Sequence, residues 1–593
     1  MRAGSLSPTP RTAAAAARGD GASPGPAPAR RWWPWLLVGW LVQAGIRIAL
    51  AAGQTVPVAN PDETGYLFAA RLLTGGPEAD ISYSTPYRGG YPLLILPAFW
   101  LADDPVTVYR TALVINALVG ALLLVAAFGL LRRLGLARPW AYGVAHAAAL
   151  LPAAVFYTQY ALTDAILPVV LLGWLLLLHS WLAADAGSAG PARTALYGAG
   201  ASLLAAYAYT MHSRGTVVVT VHVALLLVAA VARWRPWWSA GIGVAVTGAV
   251  ALAGSLLNGW IWPRLYPRGS YDMGSMLVDR LTTLDGYGWT IPVGLGQIWY
   301  LIVGTWGLAG IGLAAVLAAA VRRGVPPQVR ALACAVLVVL AGIAFATAAA
   351  LPDEQRIANH AYGRYLACLA PTLFAIGVAV LLTAARRTVL AAAAAVTAVT
   401  VAIAALIEWR AGGRFAGYVH FPFDFPETGF LTWTWDGFRL WAATLAGLAL
   451  LALAVAAAAG GRRGAVLLVG GLLAVDLVAS TATALNISRP FVREMTAAAD
   501  LGGLVDPAAP RPRVAIDGTI EWKIWIIQQY QVSWGEVTWF DGRRGRPPAD
   551  ADLVLFRWEK GVPAERTWPG APAGWRVVDS RRTVEGDWVA WRR

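Results

Sequence analysis

The segment Asn60-Pro61-Asp62-Glu63-Thr64-Gly65-Tyr66 sets two neighbouring carboxylates just beyond the first apolar run of the chain. A carboxylate held beside a cleft at membrane level can take the proton of a hydroxyl that is about to act as a nucleophile. Consecutive helical residues point about 100° apart, so Asp62 and Glu63 do not address one target together. Asn60 suits a helix N-cap, Pro61 the first helical position, and Glu63 the place where a capping box wants its carboxylate. By that spacing Glu63 is the structural member and Asp62 the free one. The bland alternative is a well-capped helix on the membrane surface, its apolar face made by Tyr66, Leu67, Ala70 and Leu73 and its end marked by Gly75-Gly76.

Other polar residues sit where apolar runs end. An ionisable group near the bilayer is costly and defaults to a functional hypothesis. Asp164, in Gln159-Tyr160-Ala161-Leu162-Thr163-Asp164, either caps the next helix or binds sugar or acceptor hydroxyls, with a divalent cation as the lesser use. In His212-Ser213-Arg214 the arginine suits bidentate phosphate binding, or simply snorkels to headgroups. A third cluster holds Arg356, His360, Tyr362, Arg364 and Tyr365, followed by Pro371. Arg364 is preferred over Arg356 for stabilising charge on a departing phosphate oxygen; an aromatic belt gives Tyr362 and Tyr365 a bland account, with Tyr365 kept beside His360 and Arg364 as a substrate-binding candidate. His146, His179 and His222 have no partner at ligand spacing and are read as helix–helix hydrogen-bonding residues. HExxH, Walker A and CxxC patterns are absent from the sequence.

The elements that must position these residues are membrane spans. The chain has 593 residues, 58% hydrophobic and only 13% charged, about half the charged share of a soluble domain. Apolar runs long enough to cross the bilayer are expected at about 33–52, 107–131, 139–157, 163–183, 194–211, 214–232, 237–257, 291–320, 327–350, 363–384, 388–408, 437–459 and 464–484, about thirteen in all. Ala49-Leu50-Ala51 resembles a signal-peptide cleavage site, but Arg47 breaks the apolar run, so an uncleaved first span is expected. Arg132/Arg133, Arg233/Arg235, Arg322/Arg323, Arg386/Arg387 and Arg462/Arg463 all fall on one side of that layout. This is the cytoplasmic side by the positive-inside rule. The net charge of +14 is therefore a topology signal, and nucleic acid is not expected as a partner. Residues 1–31 read as a disordered cytoplasmic tail, 32–485 as the membrane domain with its long outer loop at 53–106, and 486–593 as an outer segment. The last holds strand-like runs at 513–516, 553–556, 575–578 and 588–591, hence a small α/β extracytoplasmic domain. Its many tryptophans are read chiefly as packing, with sugar stacking as the alternative.

With these residues in place, the first-loop motif resembles that of GT-C fold membrane glycosyltransferases. This group includes protein O-mannosyltransferases, the aminoarabinose transferase of lipid A and mycobacterial arabinosyltransferases. The matching residues are Pro61-Asp62-Glu63, Tyr66 and Ala69-Ala70-Arg71-Leu72-Leu73. The Arg364-Tyr365-Leu366…Pro371 run looks like a late outer-loop pattern of bacterial members. The resemblance implies an inverting transferase in the cell membrane that uses a polyprenyl-phosphate-linked sugar donor. Asp62 would be the catalytic base, and Arg364, Arg214 and His360 would hold the phosphate. The acceptor would be a hydroxyl of a cell-envelope glycan, lipid or protein. No cofactor is implied, although a divalent cation fits the chemistry. The competing readings are a transporter or flippase of lipid-linked saccharides and a non-catalytic wall-assembly protein.

Overall fold

The computed structural model describes residues 32–183, 190–505 and 512–593; the expected N-terminal tail lies outside them. Each expected span is a helix or a bent pair of helices. Seven helices are long and apolar enough to cross a membrane, among them α1 (Trp33–Ala51), α4 (Pro105–Arg133), Trp237–Leu265 and Pro327–Ala350. Two bent pairs, Arg138–Leu150 with Pro152–Gln159 and Leu284–Val303 with Leu308–Val321, raise the count to nine. Among the described residues helix length and composition alone thus mark seven to nine crossings, and the expected thirteen are not confirmed. Several of the remaining segments, such as Leu167–Ala183, Gly215–Val231 and Ala370–Thr383, are apolar but shorter. Large apolar side chains stand exposed along the long helices, for example Leu252, Leu256, Leu445, Leu453 and Leu467. Such a surface belongs in lipid rather than water.

The first bend has a local cause. Pro152 disfavours a helical conformation at Leu151, which is extended (ψ 137°). The break frees the Ala149 carbonyl, and buried Arg47 of α1 donates to it at 2.6 Å. The interrupted apolar run at Arg47 is thus a helix-end cap inside the membrane domain.

Between α1 and α4 the outer loop folds into two helices, α2 (Asp62–Leu73) and α3 (Gly90–Leu101). α2 ends where the glycine pair predicts, with Gly75 at φ +88°. It does not lie on the membrane surface, however: all residues from Glu63 to Leu72 are buried. One side packs on the spans and the other meets the C-terminal unit. Gly65 is what lets α2 approach Tyr87, since a Cβ there would lie 2.0 Å from the Tyr87 ring. Gly65→Ala is therefore expected to push α2 off Tyr87. It should lower thermal stability by about 1–3 kcal/mol, the usual cost of overpacking, measurable as a Tm shift in detergent.

The C-terminal unit is a five-stranded mixed sheet in the order β2-β1-β3-β5-β4. Its strands are β1 (Arg513–Asp517), β2 (Glu536–Phe540), β3 (Leu553–Arg557), β4 (Arg576–Thr583) and β5 (Gly586–Arg592). β1 pairs in parallel with both β2 and β3, and the helix Trp522–Gln531 provides the β1–β2 crossover. Four of the strands lie where alternation predicts. β2 is an edge strand with an exposed or half-buried pattern throughout, so its apolar signal is weak. The unit is anchored to the membrane domain by Arg71 donating to the Ser533 carbonyl (2.6 Å), Tyr530 to Pro105 (2.8 Å) and Trp588 to Ala498 (2.6 Å).

Candidate active site

Glu63 is the structural carboxylate. It is fully buried and accepts from the amides of Val58 (2.8 Å), Ala59 (2.8 Å) and Ala161 (2.7 Å) and from the Tyr109 hydroxyl (2.5 Å). Burial raises its pKa, while the Tyr109 hydroxyl and the three amides oppose that rise. With every acceptor position used, Glu63 has no oxygen left for a substrate. Asn60 does not cap α2: its side-chain amide donates to the Pro57 carbonyl, the Asn60–Pro61 peptide is cis, and Pro61 occupies the N-cap position. The reach-back by the glutamate survives, shifted to Val58 and Ala59.

Asp62, one residue earlier, faces a different group of side chains. One oxygen accepts from Tyr87 Oη at 2.7 Å and the other lies 2.5 Å from Arg364 Nη1. Arg364 also reaches Asp164 Oδ2 through Nη2 (3.0 Å) and Nε (3.1 Å). Arg214 Nη2 lies 2.6 Å from Asp164 Oδ1. Residues from four separate loops therefore form one chain of alternating charge, Asp62–Arg364–Asp164–Arg214. Asp164 is 3% exposed. Burial alone would raise its pKa, but Arg214 and then Arg364 hold it well below the usual carboxylate range. The guanidinium of Arg214 packs over the Tyr365 ring (5.7 Å) and donates to the Tyr365 carbonyl (3.2 Å). His212 accepts from the Arg214 amide (3.1 Å). Its own burial, then Arg214, keep it well below the normal histidine range, hence neutral.

His360 is the expected site residue that the fold places elsewhere. It ends a single 3₁₀ turn, Ile357–Asn359, which aims its ring at Phe415 and Tyr418. Its imidazole meets Arg410 Nη1 at 3.3 Å. Among the described residues it makes no hydrogen bond or ion pair with Asp62, Asp164, Arg214 or Arg364.

Three further residues belong to this region although their sequence context did not single them out. Tyr87 holds Asp62. Arg88, next in the chain, donates to the Tyr209 carbonyl (2.5 Å) and to Thr216 Oγ1 (3.3 Å) and packs over the Tyr209 ring. Among the described residues it forms no ion pair. Asp424 comes from Pro422-Phe423-Asp424, beside the Phe423 ring over which Arg364 sits at 5.6 Å. Asp424 is 8% exposed. Burial pushes its pKa up to about 7, against the pull of Arg364 and Arg356 and with the repulsion of Asp62 and Glu354. A raised carboxyl favours the neutral form, so its stabilising share is whole below the unfolded value near 4 and fades as pH rises through 7. Asp424→Asn should therefore flatten the fall in Tm between pH 5 and 8. An unchanged pH profile in that variant would remove Asp424 from the electrostatics of the site.

Among the described residues no group of three His, Cys, Asp or Glu is placed to hold a metal ion.

No family model matches the chain, and no curated protein matches it by sequence. Solved structures do. ArnT from Cupriavidus metallidurans, bound to undecaprenyl phosphate, aligns over 94% of this chain and 98% of its own, with a TM-score of 0.51 at 14% identity. Arabinosyltransferase EmbB from Mycobacterium smegmatis aligns over 76% and 41% (TM-score 0.41, 14% identity). The oligosaccharyltransferase AglB from Archaeoglobus fulgidus, in complex with an inhibitory peptide and a dolichol-phosphate, aligns over 86% and 65% (TM-score 0.43, 12% identity). The first likeness is one of fold: the chain has the GT-C architecture that its first-loop motif resembles.

Proposed function

We propose that the protein is an integral membrane glycosyltransferase that moves a hexosyl or pentosyl unit from a polyprenyl-phosphate carrier to a hydroxyl of a cell-envelope acceptor. The observation that carries this reading is the Asp62–Arg364–Asp164–Arg214 chain, built from four loops at the ends of membrane helices. A carboxylate, a tethered guanidinium and lipid-level access are the parts that transfer from a lipid phosphate requires.

In this reading the acceptor oxygen attacks the anomeric carbon as the bond from that carbon to the phosphate oxygen breaks. The hydroxyl proton passes to Asp62, and the electron pair leaves with the lipid phosphate. A single displacement of this kind inverts the anomeric carbon. In the resting protein Asp62 is engaged by Arg364. A donor phosphate competes for that guanidinium, and its arrival releases the carboxylate to act as base. Arg214 is committed to Asp164, so it orients Arg364 indirectly by fixing their shared carboxylate. Arg88, free of any acidic partner among the described residues, is the group able to meet the phosphate without first giving up an ion pair. The N-terminus lies on the cytoplasmic side and residues 486–593 outside, with the site at the outer face.

Binding of undecaprenyl phosphate to the purified chain, measured by native mass spectrometry or by thermal shift, tests the reading directly. Arg88→Ala should weaken that binding by about 10–100-fold, the worth of one charge-assisted contact. If the intact protein fails to bind the lipid phosphate, the donor assignment falls.

A further inference from the structure

Away from the ion-pair chain the molecule has a cleft of about 420 Å³. It opens at the carboxyl ends of the parallel strands β1 and β2. Gly518 and Thr519 follow the first strand, and Phe540 and Asp541 end the second. The carboxyl edge of parallel strands is where open α/β sheets leave a crevice, because the chain turns away there into its crossover. Trp525 of the crossover helix and Trp539 of β2 form one wall, their rings 4.7 Å apart at 73°. The opposite wall belongs to the membrane domain: Asp80 of the first outer loop and Arg268, joined at 2.8 Å.

Both indoles are only partly buried, and their N–H groups have no hydrogen-bond partner among the described residues. An indole face flanked by carboxylates matches a sugar ring, which has an apolar C–H face and a rim of hydroxyl donors. The charges select further. Arg268 is bound to Asp80, and Arg544 lies 3.7 Å from Asp541. Each cation is matched by a carboxylate, so the cleft carries no net positive charge to favour a phosphate or a uronate.

We infer that this cleft binds an uncharged saccharide unit of the acceptor, stacked on the indoles of Trp525 and Trp539 and hydrogen-bonded by Asp80 and Asp541. Calling that sugar part of the acceptor rests on the transferase reading above; the binding itself does not. The cleft joins the C-terminal unit to the loop that carries Asp62. An acceptor glycan gripped there is held by both walls while its terminal hydroxyl is presented elsewhere. The acceptor class is then a glycan of more than one residue.

The test is calorimetric titration, with saturation-transfer NMR, of the full chain in nanodiscs. The probes are neutral tri- and tetrasaccharides of glucose, mannose, galactose and arabinose, with trigalacturonate as the charged control. At least one neutral oligomer should bind, and trigalacturonate should not. Trp539→Ala and Asp541→Ala should each weaken binding about tenfold, the size of one lost aromatic or polar contact. Trp539→Phe, which preserves a ring and the fold, should retain most of the affinity, and Asp62→Asn should retain all of it. No binding by any neutral oligomer, or binding indifferent to both alanine variants, would overturn the inference. Preference for trigalacturonate would overturn the ligand class. Loss of transfer in Asp62→Asn with saccharide binding intact separates this site from the catalytic one.

Discussion

Asp62→Asn is expected to lower sugar transfer by about 10²–10⁴-fold, the range contributed by a positioned general base. Asparagine keeps the size of the side chain and its hydrogen bond from Tyr87, but gives up proton acceptance and the ion pair with Arg364. Because Arg364 then keeps only Asp164, the donor phosphate meets less competition. Lipid-phosphate binding should hold or tighten while turnover collapses. That split, measured as donor affinity against single-turnover rate, distinguishes a lost base from a damaged fold. Transfer near the wild-type rate in Asp62→Asn would remove this carboxylate from the chemistry.

The second large effect falls on stability. Asp164→Ala leaves Arg214, whose side chain is 2% exposed, without its carboxylate, and leaves Arg364 with Asp62 alone. Removing one member of a buried ion pair costs about 3–5 kcal/mol, since the stranded charge keeps its desolvation penalty. The expected result is a drop in Tm of several degrees together with loss of transfer. The double variant Asp164→Leu with Arg214→Met removes both charges. It should recover most of the Tm while staying inactive, because the tether of Arg364 is gone. If the single variant melts like wild type, the buried chain of charges is not what holds these loops together.

Asp62, Asp164, Arg214 and Arg364 were legible because a charge placed where an apolar helix ends has few inexpensive explanations. Each could be singled out alone. Their mutual contact was not legible, since it depends on how the helices pack, and sequence separations such as 200 residues between Asp164 and Arg364 carry no trace of it. His360 shows the opposite failure. It lies four residues before Arg364, and nearness in sequence suggested nearness in space, yet a single 3₁₀ turn sends its ring to Phe415 and Tyr418. Asp424 and Tyr87 were hidden by their surroundings. Asp424 stands among phenylalanines and prolines and Tyr87 between Pro86 and Arg88, so neither closes a long apolar run. Arg88 lacked an apolar helix on its N-terminal side to mark it. The span layout was legible as helices, while the breaks at Leu151 and near Gly307 follow from local backbone conformations that hydropathy does not register.

The placement of α2 ties the start of the chain to its end. Arg71 donates to the Ser533 carbonyl, and the Pro105 carbonyl at the start of α4 accepts from Tyr530; a ribosome adds both partners more than four hundred residues after Asp62. During synthesis α2, the helix that begins with Asp62, therefore has one of its two flanks missing until the last hundred residues have folded. An unfinished polypeptide, though fully inserted, carries its acid on an unsupported segment. On the transferase reading proposed above, the candidate base gains its second flank only when the sheet has formed.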